Sequence, residues 1–200
     1  MSIQWDERYS AGEYVYGQEP NDFLVSVAGR IPRGRVLSLA DGQGRNGVYL
    51  AGLGHQVTGV DSSAIGLAMA RQLALERGVR IETIVADLAA FDLGRECWDG
   101  IVSIFCHLPP PVRKDLLRRV VDGLRPGGVF IMEAYAPAQL NFGTGGPSSV
   151  ELLVPLSELK NELAGLRLDH AVEVERDVIE GKLHTGRAAV IQIVATKAGD

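Results

Sequence analysis

The sequence predicts an α/β fold, a mostly parallel sheet with helices on both faces, on three observations. From Val36 to Ser63 an apolar run meets a glycine turn, Gly42-Gln43-Gly44-Arg45-Asn46-Gly47, then an apolar helix-like segment and a second β-like run ending on Asp61. That is one strand–helix–strand unit with a glycine-rich first turn. Beyond it β-like and helical patterns keep alternating, which requires parallel strands joined by crossover helices. The two final β-like runs, Leu168 to Val174 and Ala188 to Ala195, have no helical pattern between them, so they pair as an antiparallel hairpin at the sheet edge.

In chain order, residues 1–34 are polar and aromatic, with Trp5, Tyr9, Tyr14 and Tyr16, and end in a short helix from Phe23 to Ala28. The first strand is Val36 to Leu39. The helix behind the glycine turn runs from Arg45 to Leu53 and stops at Gly54. Strand two is Gln56 to Val60. The next helix starts behind Ser62 or Ser63 as N-cap, and Ile65, Leu67, Ala68, Leu73 and Leu75 carry it to Gly78. Strand three is Ile81 to Val85, followed by Asp87; strand four is Gly100 to Phe105. Pro109 to Pro111 open a helix that continues to Leu124. Arg125-Pro126-Gly127-Gly128 turns into strand five, Val129 to Ala134. A glycine-rich loop, Pro137 to Pro147, and a helix from Ser157 to Ala164 lead to the closing hairpin.

A chain of 200 residues suits one domain, with residues 1–34 as a cap segment on a core of residues 35–200. The net charge of −5 gives no basic face for nucleic acid. Cys97 and Cys106 imply no disulfide framework. No apolar run reaches membrane-span length and the N-terminus has no signal core, so a cytoplasmic protein without a membrane partner is expected, as monomer or homodimer.

Ligands of such sheets lie at the carboxyl ends of the strands. Asp41, Asp61, Asp87, Phe105 and Glu133 all fall there. The glycines let backbone approach a ligand, the following helix aims its N–H groups at it, and Asp61 can accept paired hydroxyl hydrogen bonds from a ribose. The glycine pattern alone fits NAD as well as other nucleoside cofactors. Asp87 in VADLAAFD, placed to meet an adenine amino group, the turn LRPGGVF and the antiparallel end pair separate them.

These segments, with GQGRN and YLA behind it, VTGVDSS, WDGIVSIF and the late EGKLHTGRAAVIQIVATK, resemble the Rossmann-like S-adenosylmethionine-dependent methyltransferases. Within them the chain is similar to the small tellurite-resistance-type and thiopurine-methyltransferase-like group. The resemblance implies a three-layer sandwich whose seven-stranded sheet has the order 3-2-1-4-5-7-6 with strand 7 antiparallel. It implies S-adenosylmethionine as cofactor, S-adenosylhomocysteine as product, no metal, and a small-molecule acceptor such as a thiol or a chalcogen oxyanion like tellurite. The cofactor contacts it implies fall on Asp41, Gly42, Gln43, Gly44, Asn46, Asp61, Ser62, Asp87, Leu88, Phe105 and Tyr16. Ser38 stands where many relatives carry an acid, so Asp41 is expected to take over the contact to the methionine ammonium, either directly or indirectly.

Methyl transfer from a sulfonium is an in-line displacement, so alignment and exclusion of water carry most of it. A base is needed only where the acceptor must lose a proton. Glu133, His107 and His184 are the candidate catalytic residues: a strand-end acid, a histidine following strand four, and a histidine in the loop between the last strands. Trp5, Tyr14 and Tyr16 are candidates to cap the cofactor, with the Pro137 to Pro155 segment as a further lid. Arg8 and Arg176 read as solvated surface residues, with the holding of an anionic substrate as the alternative. The run Ser103 to Pro110 lacks the leading amide or acid of amino-methylating enzymes, which argues against DNA or protein-amide acceptors. The rival readings are a non-catalytic S-adenosylmethionine-binding module and an NAD-dependent oxidoreductase.

Overall fold

The structure, a computed structural model, describes residues 2–199, with side chains from Trp5 onward. Seven strands, β1 (Arg35–Leu39), β2 (Gln56–Asp61), β3 (Glu82–Val85), β4 (Trp98–Ile104), β5 (Leu124–Tyr135), β6 (Leu166–Glu180) and β7 (His184–Lys197), form one sheet of order β3-β2-β1-β4-β5-β7-β6. All neighbours are parallel except β7, which runs antiparallel to both β5 and β6. The fold is the Rossmann-like α/β arrangement that the sequence predicts.

Alternation along the strands builds both faces. Leu37, Leu39, Ile101, Phe130 and Met132 point to one side and pack on helices α5 (Pro110–Gly123) and α6 (Leu156–Glu162) through Leu116, Leu117, Val120 and Leu159. Val36, Val57, Val102 and Ile131 point to the other and meet α2 (Asp22–Val27) and α3 (Arg45–Gly52) through Phe23, Leu24 and Leu50. Helix α4 (Ala64–Glu76) packs on α3 through Leu73, Ala74 and Val48. Both faces of the central strands are covered, so those strands read as near-continuous apolar runs, while the edge strands β3 and β6 are largely exposed.

Two departures from the sequence reading matter for the site. An additional helix, α1 (Ser2–Tyr9), lies at the N-terminus and packs on α4. Apolar periodicity does not announce it, because polar side chains and one buried tyrosine hold it in place. The final hairpin is also longer than the apolar runs suggest. The β5–β7 pairing ends at Tyr135↔Val190, whereas β6 and β7 continue pairing to Glu180↔His184. The hairpin tip therefore rises past the carboxyl edge of the sheet. Its polar residues, Glu175 to Glu180, hide that extension from hydropathy.

Candidate active site

The glycine turn is built from beneath. Gly44 starts α3 in the left-handed region (φ 86°), and a Cβ there would lie 2.8 Å from the Ala70 Cα of α4. Only glycine lets the turn and α4 approach so closely. Asp41 accepts hydrogen bonds from Ser38 Oγ (2.6 Å) and the Gly47 N–H (3.0 Å). Its other oxygen, partnerless among the described residues, is enclosed where a Cβ on Gly47 or Gly59 would sit. Burial pushes its carboxyl up to about 6. The side chain is thus built into the start of α3 through one oxygen, the other being left without a partner among the described residues.

Asp61 ends β2 and ties the turn to α4. One oxygen accepts from the Gly42 N–H (2.9 Å), the other from the Ser63 N–H (2.8 Å), and burial raises its carboxyl pKa. Ser63 caps α4 by accepting from the Gly66 N–H, while Ser62 is half-buried. Asp87, beyond the tip of β3, is exposed and accepts from the Ala89 N–H (2.9 Å). The Leu88 side chain is core, and its carbonyl accepts from Arg119.

The N-terminal segment closes over this half. Tyr9, 4% exposed, lays its ring against Gly66 and its hydroxyl against Gly42, facing Asp61. Asp6 accepts from Ser63 Oγ (2.5 Å) and the Ile65 N–H (3.3 Å). Gln43 Oε1 accepts from the Val15 N–H (3.0 Å), and its Nε2 donates to the Glu13 carbonyl (2.7 Å); Asn46 Oδ1 accepts from the Asn21 N–H (3.0 Å). The side chains of Gln43 and Asn46, predicted to touch cofactor, are thus occupied by the cap. Of the aromatic residues predicted to cap, Trp5 stacks on Tyr9, Tyr14 hydroxyl donates to the Met69 carbonyl, and Tyr16 accepts from Arg8 while its ring lies 4.6 Å from His184. Tyr9 is the one that enters the site.

The groups gathered here, carboxylates and glycine backbone, are of the kind that could hold a nucleoside with a polar tail. Asp61 has further accepting capacity beyond the Gly42 and Ser63 N–H groups, Asp87 is exposed, and the space a Cβ at Gly42 would enter lies between the Tyr9 hydroxyl and Asp61. Tyr9 must shift or share that space.

On the other side of β1 the chemistry changes. Phe105, at φ 52°, stacks on Tyr135 (4.5 Å between centroids), His107 stacks on Tyr135 (5.5 Å, 14°), and His184 meets Tyr135 and Phe105 edge-on (5.4 and 5.0 Å). His107 Nδ1 lies 3.1 Å from the Leu152 carbonyl. A carbonyl only accepts, so Nδ1 carries the proton and Nε2 is left as an acceptor. Burial pushes His107 down to about 4 and His184 to about 3, so both rings are neutral near pH 7.

Glu133 corrects the sequence reading. It is 0% exposed, and its oxygens accept from Arg176 Nε (2.9 Å) and NH2 (2.6 Å), Asn21 Nδ2 (2.6 Å) and Gln192 Nε2 (2.8 Å). Asn21 also donates to Glu180 (2.7 Å), whose second oxygen accepts from Arg45 (2.5 Å). Two carboxylates and two guanidiniums close a buried network that bolts the N-terminal segment to β5, β6 and α3. No lone pair of Glu133 is left for proton transfer. Arg176 is half-buried and holds Glu133, so it is more than a solvated surface residue. Asn21, Arg45 and Glu180 went unnoticed because each partner is remote in sequence; only the placement of Asn21 ahead of a helix gave a signal.

Residues 36–128 match the family model described as a methyltransferase domain. The chain is 27% identical, over 67% of its length and 60% of the relative's, to the 2-heptyl-1-hydroxyquinolin-4(1H)-one methyltransferase of Mycobacteroides abscessus. It is 30% identical, over 66% of its length and 57% of the relative's, to the ubiquinone biosynthesis O-methyltransferase of Xanthomonas campestris. It thus spans less than two thirds of these curated relatives. The crystal structure of TehB from Haemophilus influenzae superposes with TM-score 0.75 at 20% identity, covering 96% of this chain and 67% of that one.

Proposed function

We propose that this chain is an S-adenosylmethionine-dependent methyltransferase, a reading its matched domain and its fold support, and that it transfers the donor's methyl group to a small-molecule acceptor and leaves S-adenosylhomocysteine. One observation carries the reading: along the carboxyl edge of the sheet, carboxylates outside any ion pair among the described residues lie on one side and uncharged rings on the other, where Glu133 and Glu180 are closed off by Arg176 and Arg45. Carboxylates stand at the tips of β2 and β3, in Asp61 and Asp87. Uncharged rings stand at β4, β5 and β7, in Phe105, His107, Tyr135 and His184. The boundary falls between β1 and β4, where the strand order reverses.

In this reading Asp61 takes the ribose hydroxyls through the lone pairs that Gly42 and Ser63 leave open. Asp87, with the main chain at Ser62 and Leu88, meets the adenine. The backbone of Gly42 and Gly44 lies along the methionine tail, with Phe105 beside the sulfur, while Gln43, Asn46 and Asp41 act from behind by holding the cap and the start of α3. The bound sulfonium supplies an activated methyl group whose departure discharges the positive charge. The chain's own part is to align acceptor with donor and to keep water out, through α1, the Tyr14–Tyr16 segment and the glycine-rich loop. Thiols and chalcogen oxyanions such as tellurite are acceptors that ask least of a base.

The test is formation of S-adenosylhomocysteine by the purified chain with S-adenosylmethionine and, in turn, thiols, selenite, tellurite and aromatic hydroxyl compounds. Product that depends on an added acceptor supports the reading. Tight binding of S-adenosylmethionine with no turnover on any of them would make the chain a binding module instead.

A further inference from the structure

Six buried side-chain polar atoms lack a hydrogen-bond partner among the described residues, and three of them, His107 Nε2, His184 Nδ1 and Tyr135 Oη, belong to one aromatic cluster. They come from three places in the chain: the loop after β4, the end of β5 and the start of β7. A buried polar atom without a partner is unfavourable, and folds seldom keep one without a reason. Three together, at the ligand-binding edge of a parallel sheet, point to a ligand that supplies the missing hydrogen bonds.

The surroundings define its shape and charge. Phe105, Tyr135 and His107 lie within 25° of parallel, so they offer a stack that a further flat ring can extend. The nearby cations are committed: Arg45 pairs with Glu180, Arg176 with Glu133, and Arg8 donates to Tyr16 while lying over Trp5. With both imidazoles neutral, nothing in the cluster neutralises a free oxyanion. The cover is the glycine loop. A Cβ at Gly145 would lie 3.2 Å from Tyr135 Oη and 3.1 Å from the His184 ring, and one at Gly146 would strike the Tyr135 ring at 2.6 Å. Those glycines fill the space over Tyr135 that a flat acceptor would enter.

Resting on the methyltransferase reading above, we propose that His107, Tyr135 and His184 form the acceptor site, and that the acceptor is a flat aromatic compound with a neutral hydroxyl group. Tyr135 and His184 hold the hydroxyl oxygen in line with the donor. His107 Nε2 takes its proton, since its Nδ1–H is fixed on the Leu152 carbonyl. The O–H bond breaks with its proton going to Nε2. An oxygen lone pair forms the new O–CH3 bond. The S–CH3 bond breaks with its electron pair returning to sulfur, giving a neutral thioether and a neutral ether. The imidazolium then releases its proton to water.

The experiment uses the full chain with S-adenosylmethionine and catechol or 4-hydroxyquinoline as probe, beside selenite, tellurite and an alkyl thiol, together with calorimetric binding of S-adenosylhomocysteine. The aromatic hydroxyl probes are expected to be methylated at least tenfold more efficiently than the other acceptors. Tyr135→Phe and His107→Gln are each expected to lower kcat/KM for them by at least tenfold, with S-adenosylhomocysteine affinity unchanged. Activity of His107→Gln should recover as pH rises toward the probe's own pKa, where the hydroxyl ionises without help; a packing role would give no such recovery. Tyr135→Phe keeps the packing and serves if His107→Gln does not fold. Selenite, tellurite or the alkyl thiol outpacing both aromatic probes, or neither aromatic probe being methylated while S-adenosylhomocysteine binds, overturns this acceptor assignment and leaves the donor site standing. Failure of S-adenosylhomocysteine to bind brings down the methyltransferase reading itself.

Discussion

Asp61 shows most directly how much rests on one side chain. Its carboxylate joins the glycine turn to the start of α4 and faces the hydroxyl of Tyr9. Asp61→Ala is predicted to weaken S-adenosylhomocysteine binding by ~1.5–3 kcal/mol through loss of charge-assisted hydroxyl bonds; unchanged affinity by calorimetry would place the sugar elsewhere. Buried titratable groups set a pH response. His107 and His184 titrate near 4 and near 3 when folded, against an ordinary 6.5, so the unfolded chain takes up protons there that the folded chain refuses. Their contribution to stability is whole above about 6.5 and drains as pH falls toward 4. Asp41 works the other way: whole below its ordinary 3.8, and lost as pH rises to about 6. Asp61, also raised by burial, sides with Asp41, and His55, also lowered by burial, sides with the two rings. Three groups oppose two, so unfolding free energy is predicted to rise between about pH 4.5 and 6.5. Urea titrations check it: Asp41→Asn should steepen the rise and His107→Gln should flatten it, and a slope indifferent to both would deny these shifts.

Elements bring remote residues together in ways no local pattern announces. The chain's acid at the end of β5, Glu133, looked like a catalytic group because a buried carboxylate needs a partner or a task. It has partners: Asn21 from before α2, Arg176 from β6 and Gln192 from β7. Glu133→Gln leaves Arg176 without its main counter-charge and is predicted to lower stability by ~3–5 kcal/mol. A loss under ~1 kcal/mol in urea denaturation would show that the network is dispensable. Helix α1 makes a separate prediction. It touches the site through Asp6 and Tyr9, whereas Asn21 and Gln43 fasten the chain that follows. Removal of residues 1–12 is therefore predicted to speed release of S-adenosylhomocysteine severalfold while the fold persists, as for a lid. Equal release rates in stopped-flow displacement would remove the covering role.

At the scale of the molecule, the sheet was legible because a doubly covered parallel sheet writes itself as apolar strands separated by helices. The glycine turn, Asp61 and Ser63 were legible for a related reason: a tight turn, a strand-end acid and an N-cap are local chemistry. Three things were not legible. Helix α1 lacks an apolar stripe, the tip of the last hairpin is polar although strand-paired, and the cap's anchors at Gln43 and Asn46 lie far in sequence from Glu13, Val15 and Asn21. The long hairpin carries His184 to Phe105 and Tyr135, a meeting that no spacing in the sequence foretells. The result is a sheet edge with the carboxylates Asp61 and Asp87 outside any ion pair among the described residues on one side of its reversal, and on the other neutral rings beside carboxylates that Arg176 and Arg45 close. A calorimetric titration of the full chain with S-adenosylhomocysteine and, in parallel, with NAD tests that division at its root. Saturable one-site binding of S-adenosylhomocysteine, with no heat from NAD, is the predicted result; binding of NAD without S-adenosylhomocysteine would contradict it.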